Sequence, residues 1–233
     1  MTSTSAPVIL VLGAGPGLGM SVAHRFGNEG YVVALVSRSA ERHADYLKSL
    51  ADAGVDAAAF TADAADPDRL REAVDAESAL RSVVPAVGFA ALLLPELIER
   101  GSGALLFAGG LSSVVPMPPL GGLALASAAL RNYAITLNAA LQPAGVYAGT
   151  ITIGGLIERG DIHRAMQANP DLFGNLTAAT LNPDELADTV WRLYAERTGG
   201  RSGDQRVGGL TARGVVDRTG SPNRAATPSL NIT

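Results

Sequence analysis

Glycines between residues 13 and 19 form the motif with the clearest chemical meaning in this sequence. The stretch "LGAGPGLG" follows a short apolar run and precedes a helical pattern. A turn from a buried strand into a helix directs backbone N–H groups and the positive end of the helix dipole at one point, which suits a pyrophosphate. Gly13 permits the tight turn, and Gly19 lets helix and strand pack closely. The alternative is an ordinary glycine-rich turn. The residues expected to contact the diphosphate are Gly13, Gly15, Gly17, Leu18 and Gly19.

A second candidate site lies where the next apolar run ends, in "VSRS" (36–39). No Asp or Glu stands there to accept hydrogen bonds from a ribose 2′-hydroxyl, whereas the Arg38 guanidinium beside Ser37 fits a 2′-phosphate. This favours NADP(H) over NAD(H), although Arg38 could also merely solvate a strand end. Asp63 and Ala64 follow the third apolar run and lie where an adenine edge would come, but Asp63 could equally cap a turn.

Alternating strands and helices must position these residues. Apolar, unalternating runs predict parallel strands at 7–13, 30–38, 55–63, 102–110 and 146–155. Helical spacing predicts helices between them, including one over 39–54 with Ser39 as N-cap and a capped one over 182–200 that begins at Asn182. The expected fold is a Rossmann-like α/β domain over residues 1–200, a doubly wound parallel sheet in three α/β/α layers. Residues 201–233 contain few large apolar side chains, which predicts a polar, mobile tail with a short strand candidate at 214–217.

Composition excludes several other classes of protein. The 233-residue chain is 47% hydrophobic and carries a formal net charge of −4, which gives no positive field for nucleic acid. It has no cysteine, and no metal-ligand spacing, carboxylate pair or nucleophile triad is present. The apolar stretch 83–98 is shorter than the ~20 residues that cross a bilayer. We therefore expect a cytoplasmic protein with no membrane partner and a small-molecule substrate.

The glycine pattern resembles that of the short-chain dehydrogenase/reductase family, and the resemblance covers roughly residues 8–200. The family pattern TGxxxGxG matches Gly13, Gly17 and Gly19, with Leu12 in place of threonine. The resemblance implies a nicotinamide coenzyme and an oxidoreductase.

The resemblance extends to two segments that contact the coenzyme in that family. Asp63 corresponds to the aspartate after the third strand, and "TITIGGLI" (150–157) to the segment after the sixth, with Gly154 in place of proline. By the resemblance, the backbone near Ile157 meets the nicotinamide carboxamide.

The catalytic half of the family pattern is missing. The family's YxxxK pair falls on Leu123 and Ser127, and its serine on Gly110. Ser112 and Ser113 are two or three residues away, and a loop could bring one inward. The sole lysine, Lys48, lies near the adenosine half of the fold and cannot substitute. Ser112 and Ser127 remain weak candidates for a catalytic role, with loop hydrogen bonding or helix packing as the alternative.

The chain between the predicted strands at 55–63 and 102–110 is also unusually short for this family, which has a further strand, its fourth, between them. Between Asp63 and Ala104 the family fits a helix, a strand and a longer helix, yet two predicted helices already fill most of this stretch. "RSVVP" (81–85) is the only strand candidate there. Either the fourth strand is lost or a segment near residues 77–82 is omitted, and we favour omission because losing a central strand leaves ladder groups unpaired.

Two functions remain open. The first is an NADP(H)-dependent oxidoreductase acting on a small carbonyl or alcohol with a non-standard proton donor; losing a general acid slows such a reaction by about 10²–10⁴ without forbidding it. The second is a redox-silent relative used for ligand binding or for a non-redox step such as dehydration or cyclisation. His163 lies in the segment that caps the substrate pocket in relatives, but a surface role is also open. By the resemblance, the long helices over 86–100 and 123–142 pair into a homodimer or homotetramer, and plain core burial explains their apolar faces equally well.

Overall fold

A computed structural model describes residues 6–62, 86–117, 121–168, 179–197 and 204–207 of the chain. Strands and helices alternate in these residues, as the sequence predicts. In chain order they are β1 (Val8–Leu12), α1 (Leu18–Gly27), β2 (Val32–Ser37), α2 (His43–Asp52), β3 (Ala57–Thr61), α3 (Ala86–Arg100), β4 (Gly103–Gly110), α4 (Gly121–Leu141), β5 (Val146–Ile153), β6 (Leu156–Ile157), α5 (Asp161–Ala168), β7 (Thr180–Leu181), α6 (Pro183–Ala195) and β8 (Asp204–Val207), with 3-10 turns at Leu111–Ser113 and Gln142–Ala144.

The strands pair in parallel throughout the described residues. One sheet has the order β1-β2-β3, a second has the order β4-β5-β8, and β6 pairs with β7. Parallel strands require a crossover between them, which the intervening helices supply. The predicted Rossmann-like α/β architecture is therefore confirmed. Four residues of the predicted tail, those of β8, pair with β5 beyond the expected domain boundary at residue 200.

Side-chain alternation along β2 shows why helices cover both faces of the sheet. Val33 and Leu35 are fully buried in the cluster that also contains residues of α1 and α2. Ala34 and Val36 point to the opposite face, where Leu93 of α3 packs. Because both faces of the strand are buried, its sequence is apolar without alternation, as is typical of parallel sheets. This gives the three-layer arrangement.

The two larger sheets share their core, although no ladder joins β1 to β4 among the described residues. Ile9 of β1 and Leu106 of β4 pack against the same cluster, which includes Phe26 of α1 and Val190 of α6. The fourth-strand candidate, residues 81–85, and the segment near 77–82 both lie outside the described part of the chain.

The ends of two helices test the capping predictions. The prediction that Ser39 caps α2 is wrong: the N-cap is Arg42, without a side-chain cap, and Ser39 Oγ instead accepts a hydrogen bond from the Glu41 amide at 3.2 Å. Ser39 therefore stabilises the preceding turn. At α6, the predicted cap is confirmed, since Asn182 Oδ1 accepts from the Asp184 amide at 2.8 Å.

A membrane span needs a helix that is both long and apolar. Of the helices in the described ranges, none combines the length and apolar character that crossing a bilayer requires.

Candidate functional site

The candidate site lies at the edge where the parallel strands end. The glycine turn follows β1, Ser37 ends β2, the 3-10 turn Leu111–Ser113 follows β4, and Ile157 ends β6. The carboxyl ends of parallel strands meet at one edge of a sheet, and ligands bind in the crevice there. The residues that the sequence singled out thus follow the carboxyl ends of different parallel strands.

The glycine turn, residues Gly13–Gly19, is tied to β2 through its backbone. Gly13 has a φ of 72°, in the left-handed region that favours glycine. The amides of Gly13 and Ala14 both donate to the Val36 carbonyl, at 2.9 and 3.0 Å. A Cβ added to Gly19 would lie 3.1 Å from Ala14 Cα, so close packing of α1 on the turn requires a glycine. Both roles assigned to these glycines from the sequence fit the geometry.

The next amides of the turn point away from any acceptor in the described part of the chain. The N-cap of α1 is Gly17, which has no side chain to cap the helix. The first turn of a helix always leaves N–H groups without intrahelical partners, and a bound anion can accept from them. The amides that find no acceptor among the described residues belong to Gly15, Gly17, Leu18 and Gly19. These are the groups that fit a diphosphate.

A segment from the other side of the site packs directly on this turn. A Cβ added to Gly17 would lie 3.2 Å from the Glu158 carbonyl oxygen and 3.2 Å from the Gly160 amide nitrogen. We call residues 158–161 the crossing segment, because it runs from β6 over the glycine turn to α5. The close approach of the crossing segment therefore favours glycine at position 17.

Arg159 anchors the crossing segment to two helices. Its φ of 64° lies in the left-handed region, and its Nη2 donates to Ser21 Oγ of α1 at 3.1 Å and pairs with Asp184 Oδ1 of α6 at 2.7 Å. Burial alone would raise the pKa of Asp184, but the hydrogen bonds from Arg159 and Ser21 outweigh it and lower that pKa. Asp184 therefore stays ionised at neutral pH and holds the arginine.

At the end of β2, Ser37 makes two contacts within the loop that leads to α2. Its Oγ donates to the Ser39 carbonyl at 2.9 Å and lies 2.7 Å from Nε2 of the buried His43. Arg38 is exposed and forms no ion pair with any residue that the structure describes. The guanidinium expected to bind a 2′-phosphate is thus accessible.

The same loop contacts the crossing segment. Arg42 Nη1 pairs with Asp161 Oδ2 at 2.8 Å. The hydrogen bond from Arg42 lowers the pKa of the Asp161 carboxyl against a small opposing effect of burial. This ion pair joins the start of α2 to the start of α5.

Three other residues expected at the coenzyme site have different outcomes. Asp63 and Ala64 lie outside the described residues, so their contact with an adenine stays a prediction. Ile157 lies in β6, where the Leu156 amide donates to the Ala179 carbonyl at 2.8 Å and the Glu158 amide to the Leu181 carbonyl at 3.0 Å. Because amides alternate along a strand, the Ile157 amide faces the opposite side.

The 3-10 turn after β4 brings one serine back toward the position of the missing family serine. A Cβ added to Gly110 would lie 3.8 Å from Ser112 Oγ. Ser112 is 8% exposed, and its hydroxyl has no hydrogen-bond partner among the described residues. The hydroxyl of Ser113, next to it, also lacks one. A buried hydroxyl without a partner is unusual and marks a donor that a ligand could satisfy.

The two positions of the family's YxxxK pair lie on α4. Leu123 is in its first turn, with a side chain outside what the structure describes, and Ser127 is half-buried one turn further along. The ring of Tyr133, further along α4, packs edge-on against Phe107 of β4, with 6.1 Å between the ring centroids. Lys48 is exposed and pairs with Asp52 on α2, which agrees with its exclusion from the chemistry.

Sequence reasoning missed three polar residues around the glycine turn, namely Arg42, His43 and Arg159. The sequence places His43 within the helix predicted over 39–54, and only its contact with Ser37 shows that its ring lies at the carboxyl end of β2. For Arg42 and Arg159 no sequence signal was available, because their partners lie 119 and 138 positions away. His163, which the sequence placed near the substrate pocket, is half-buried on α5 with its Nε2 3.3 Å from Gln167 Nε2.

Comparison with known proteins supports the resemblance over part of the chain. Residues 7–83 match the family model described as short chain dehydrogenase. The chain is 37% identical over 68 residues to the 3-dehydrosphinganine reductase TSC10B of Arabidopsis thaliana, a match that covers 29% of this chain and 20% of that protein. The match thus spans about a fifth of the length of this relative.

Solved structures share the fold over nearly the whole chain. A single-substitution variant of actinorhodin polyketide ketoreductase with NADPH superposes with a TM-score of 0.76 at 18% identity, covering 90% of this chain and 98% of that one. A short chain dehydrogenase from Mycobacterium paratuberculosis bound to NAD gives a TM-score of 0.70 at 19% identity, covering 87% and 96%. These structures show that the fold is shared, while the match to the short chain dehydrogenase model covers residues 7–83.

Proposed function

We propose that this chain is an oxidoreductase of the short-chain dehydrogenase/reductase family that binds NADP(H) and interconverts a small carbonyl compound and its alcohol. The observation that carries the proposal is the glycine turn, whose free amides and close-packed glycines fit a diphosphate at the N-terminus of α1. An ordinary turn would not need Gly17 and Gly19 free of side chains at backbone distances of 3.1–3.2 Å.

The preference for NADP(H) rests on the end of β2. Arg38 is exposed, has no ion pair among the described residues, and follows Ser37 at the strand end where a ribose would lie. A guanidinium binds phosphate bidentately, whereas a ribose 2′-hydroxyl is bound by a carboxylate, which is missing from this strand end. Among similar structures, one carries NADPH and another NAD, so the preference depends on the residues of this chain.

When bound, a nicotinamide coenzyme would supply the hydride for the carbonyl carbon, and the carbonyl oxygen would take up one proton. Ser112 is the residue that we assign to that oxygen, because its hydroxyl is buried, lacks a partner and lies beside the position of the family serine. It donates a hydrogen bond to the oxygen and passes on a proton that water replaces. Without the family tyrosine this step is slower by about 10²–10⁴. Ser127 takes the position of the family lysine but carries no charge.

A redox-silent role is the second candidate, and specific residues favour it. Leu123 and Ser127 replace both proton-handling side chains of the family, so coenzyme binding without turnover would be the expected behaviour of such a protein. The nucleotide would then serve ligand binding or a non-redox step.

The experiment that separates these functions combines binding and turnover in the full chain. Calorimetry with NADPH, NADP⁺, NADH and NAD⁺ tests the coenzyme site, and we expect tighter binding of the phosphorylated pair. NADPH oxidation is then followed with a panel of small ketones. Turnover of any ketone supports the oxidoreductase, binding without turnover favours the redox-silent role, and failure to bind any of the four nucleotides contradicts both.

A further inference from the structure

The crossing segment is held at both ends by arginine–carboxylate pairs. On one side, Arg159 binds Asp184 at 2.7 Å and Ser21 at 3.1 Å. On the other side, Asp161 binds Arg42 at 2.8 Å. Between these anchors the backbone of Glu158 and Gly160 touches Gly17 of the glycine turn. A dinucleotide bound at the turn would therefore meet a segment whose second anchor is Arg42.

Arg42 belongs to the same short loop as the expected 2′-phosphate site. The loop begins at Ser37 and folds back on itself, since Ser39 accepts from the Glu41 amide at 3.2 Å. The residue after Arg42, His43, returns to Ser37 with its Nε2 2.7 Å from the Ser37 hydroxyl. Arg42 is thus a second cation, besides Arg38, at the end of β2. Unlike Arg38, it is already paired with a carboxylate.

We propose that Asp161 determines coenzyme specificity by competing with the 2′-phosphate of NADP(H) for the Arg42 guanidinium. This inference rests on the proposed coenzyme site. NADP(H) displaces Asp161 from Arg42, whereas NAD(H), which has an uncharged 2′-hydroxyl at this position, leaves the ion pair intact. The Asp161 carboxylate therefore weakens the binding of NADP(H) and has no comparable effect on NAD(H).

The strengths of the two interactions favour replacement of the Asp161 carboxylate by the 2′-phosphate at Arg42. The Arg42 and Asp161 side chains are 48% and 58% exposed, and ion pairs at such exposed sites are weak. A 2′-phosphate carries nearly two negative charges and accepts two parallel hydrogen bonds from one guanidinium. The phosphate is the stronger partner, so the carboxylate reduces its affinity without preventing binding.

The test is a double-mutant cycle read by calorimetry of NADPH and NADH with the full chain. We expect Asp161→Asn to tighten NADPH binding about two- to fivefold, the effect of releasing an exposed ion pair, and to leave NADH binding unchanged. Arg42→Gln should weaken NADPH binding about tenfold by removing a charge-assisted hydrogen bond. In the Arg42→Gln background, Asp161→Asn should no longer tighten NADPH binding.

The control variant is Asp45→Asn, which removes the same charge from an exposed position in the first turn of α2. If removing any nearby negative charge were enough, Asp45→Asn would also tighten NADPH binding, and Asp161→Asn would still tighten it in the Arg42→Gln background. Either result overturns the proposal. Equal tightening of NADH by Asp161→Asn overturns it as well. If the wild-type chain binds neither nucleotide, the proposed function fails together with this inference. If both nucleotides bind and only the Asp161 effect is missing, this inference alone fails.

Discussion

The proposed coenzyme region, from β1 to the start of α2, and the proposed catalytic region, from β4 to the first turns of α4, differ in the groups on which their function depends. We call them the coenzyme region and the catalytic region. In the coenzyme region, binding depends on backbone amides and on missing side chains at Gly17 and Gly19, and all of these features are present. In the catalytic region, chemistry depends on three particular side chains, and the sequence has Gly110, Leu123 and Ser127 at those positions.

Under the proposed function, this fold keeps the ligand site of the family while the side chains for its chemistry differ. The backbone site is part of the fold, because the turn that exposes the amides also joins β1 to α1 and bonds to β2. Side chains in the first turns of α4 can change with little effect on the part of the core that its last turns build. Leu137 and Leu141, for example, are buried against β4 and β5. Substitutions in either region should reduce or increase this difference between them.

The largest expected effect comes from restoring the family side chains in the triple variant Gly110→Ser, Leu123→Tyr, Ser127→Lys. Gly110 has extended backbone, and its Cβ would make only an ordinary contact with Ser112, so the serine fits. With a general acid restored, NADPH-dependent ketone reduction should rise about 10²–10⁴-fold. The measurement is NADPH oxidation with the same ketone panel. Unchanged turnover with unchanged NADPH affinity would show that positions other than these three also account for the loss of the family chemistry.

The coenzyme region should be disrupted by Gly17→Val. The added side chain would displace the backbone of Glu158 and Gly160 or the nucleotide itself. Loss of two charge-assisted hydrogen bonds, each contributing about 1.5–3 kcal/mol, predicts NADPH binding weaker by at least about 100-fold in calorimetry.

The matched control for that variant is Gly109→Ala, because a Cβ at Gly109 meets no atom within 4 Å and its φ is not in the left-handed region. It should bind NADPH like the wild type. Equal affinities of the Gly17→Val variant and the control would contradict the assignment of the glycine turn.

Within the catalytic region, Ser112→Ala should lower kcat about 10- to 100-fold, near the lower end of general-acid effects because water can replace the hydroxyl. Ser113→Ala is the matched control, since its hydroxyl is also buried and unpartnered but is not the one beside the Gly110 position. It should retain wild-type kcat. Similar losses in both variants would indicate a structural role of the turn, and neither variant should change the affinity for NADPH.

The smallest effect concerns pH and the crossing segment. The pKa values of Asp161 and Asp184 are lowered in the folded protein, so both ion pairs contribute stability above the ordinary carboxyl pKa of about 3.9 and lose it as pH falls through the lowered values. The double variant Asp161→Asn, Asp184→Asn should therefore melt slightly below the wild type at neutral pH. Below about pH 4 the two melting temperatures should converge. A constant difference down to about pH 2 would mean that these carboxyls do not act through their charge.

The sequence by itself determined the features that depend on local pattern. Unalternating apolar runs predicted the parallel strands, and helical spacing predicted the helices, including the one that Asn182 caps. These predictions were possible because each signal acts over a few neighbouring residues. The glycine turn was predictable for the same reason: the motif, the strand before it and the helix after it are contiguous. Ser39 shows the limit of such signals, since its side chain could cap a turn or a helix, and the structure has it on the turn.

Only the tertiary structure decided which polar side chains meet around that turn. The Arg42–Asp161 pair joins positions 119 residues apart, and the Arg159–Ser21 contact joins positions 138 apart, distances over which no local pattern carries information. The choice of Ser112 over Ser113 likewise depends on the path of the 3-10 turn after β4, which directs one hydroxyl toward the Gly110 position. Local sequence sets backbone conformation, whereas contacts between distant side chains exist only once packed strands and helices fix their distances.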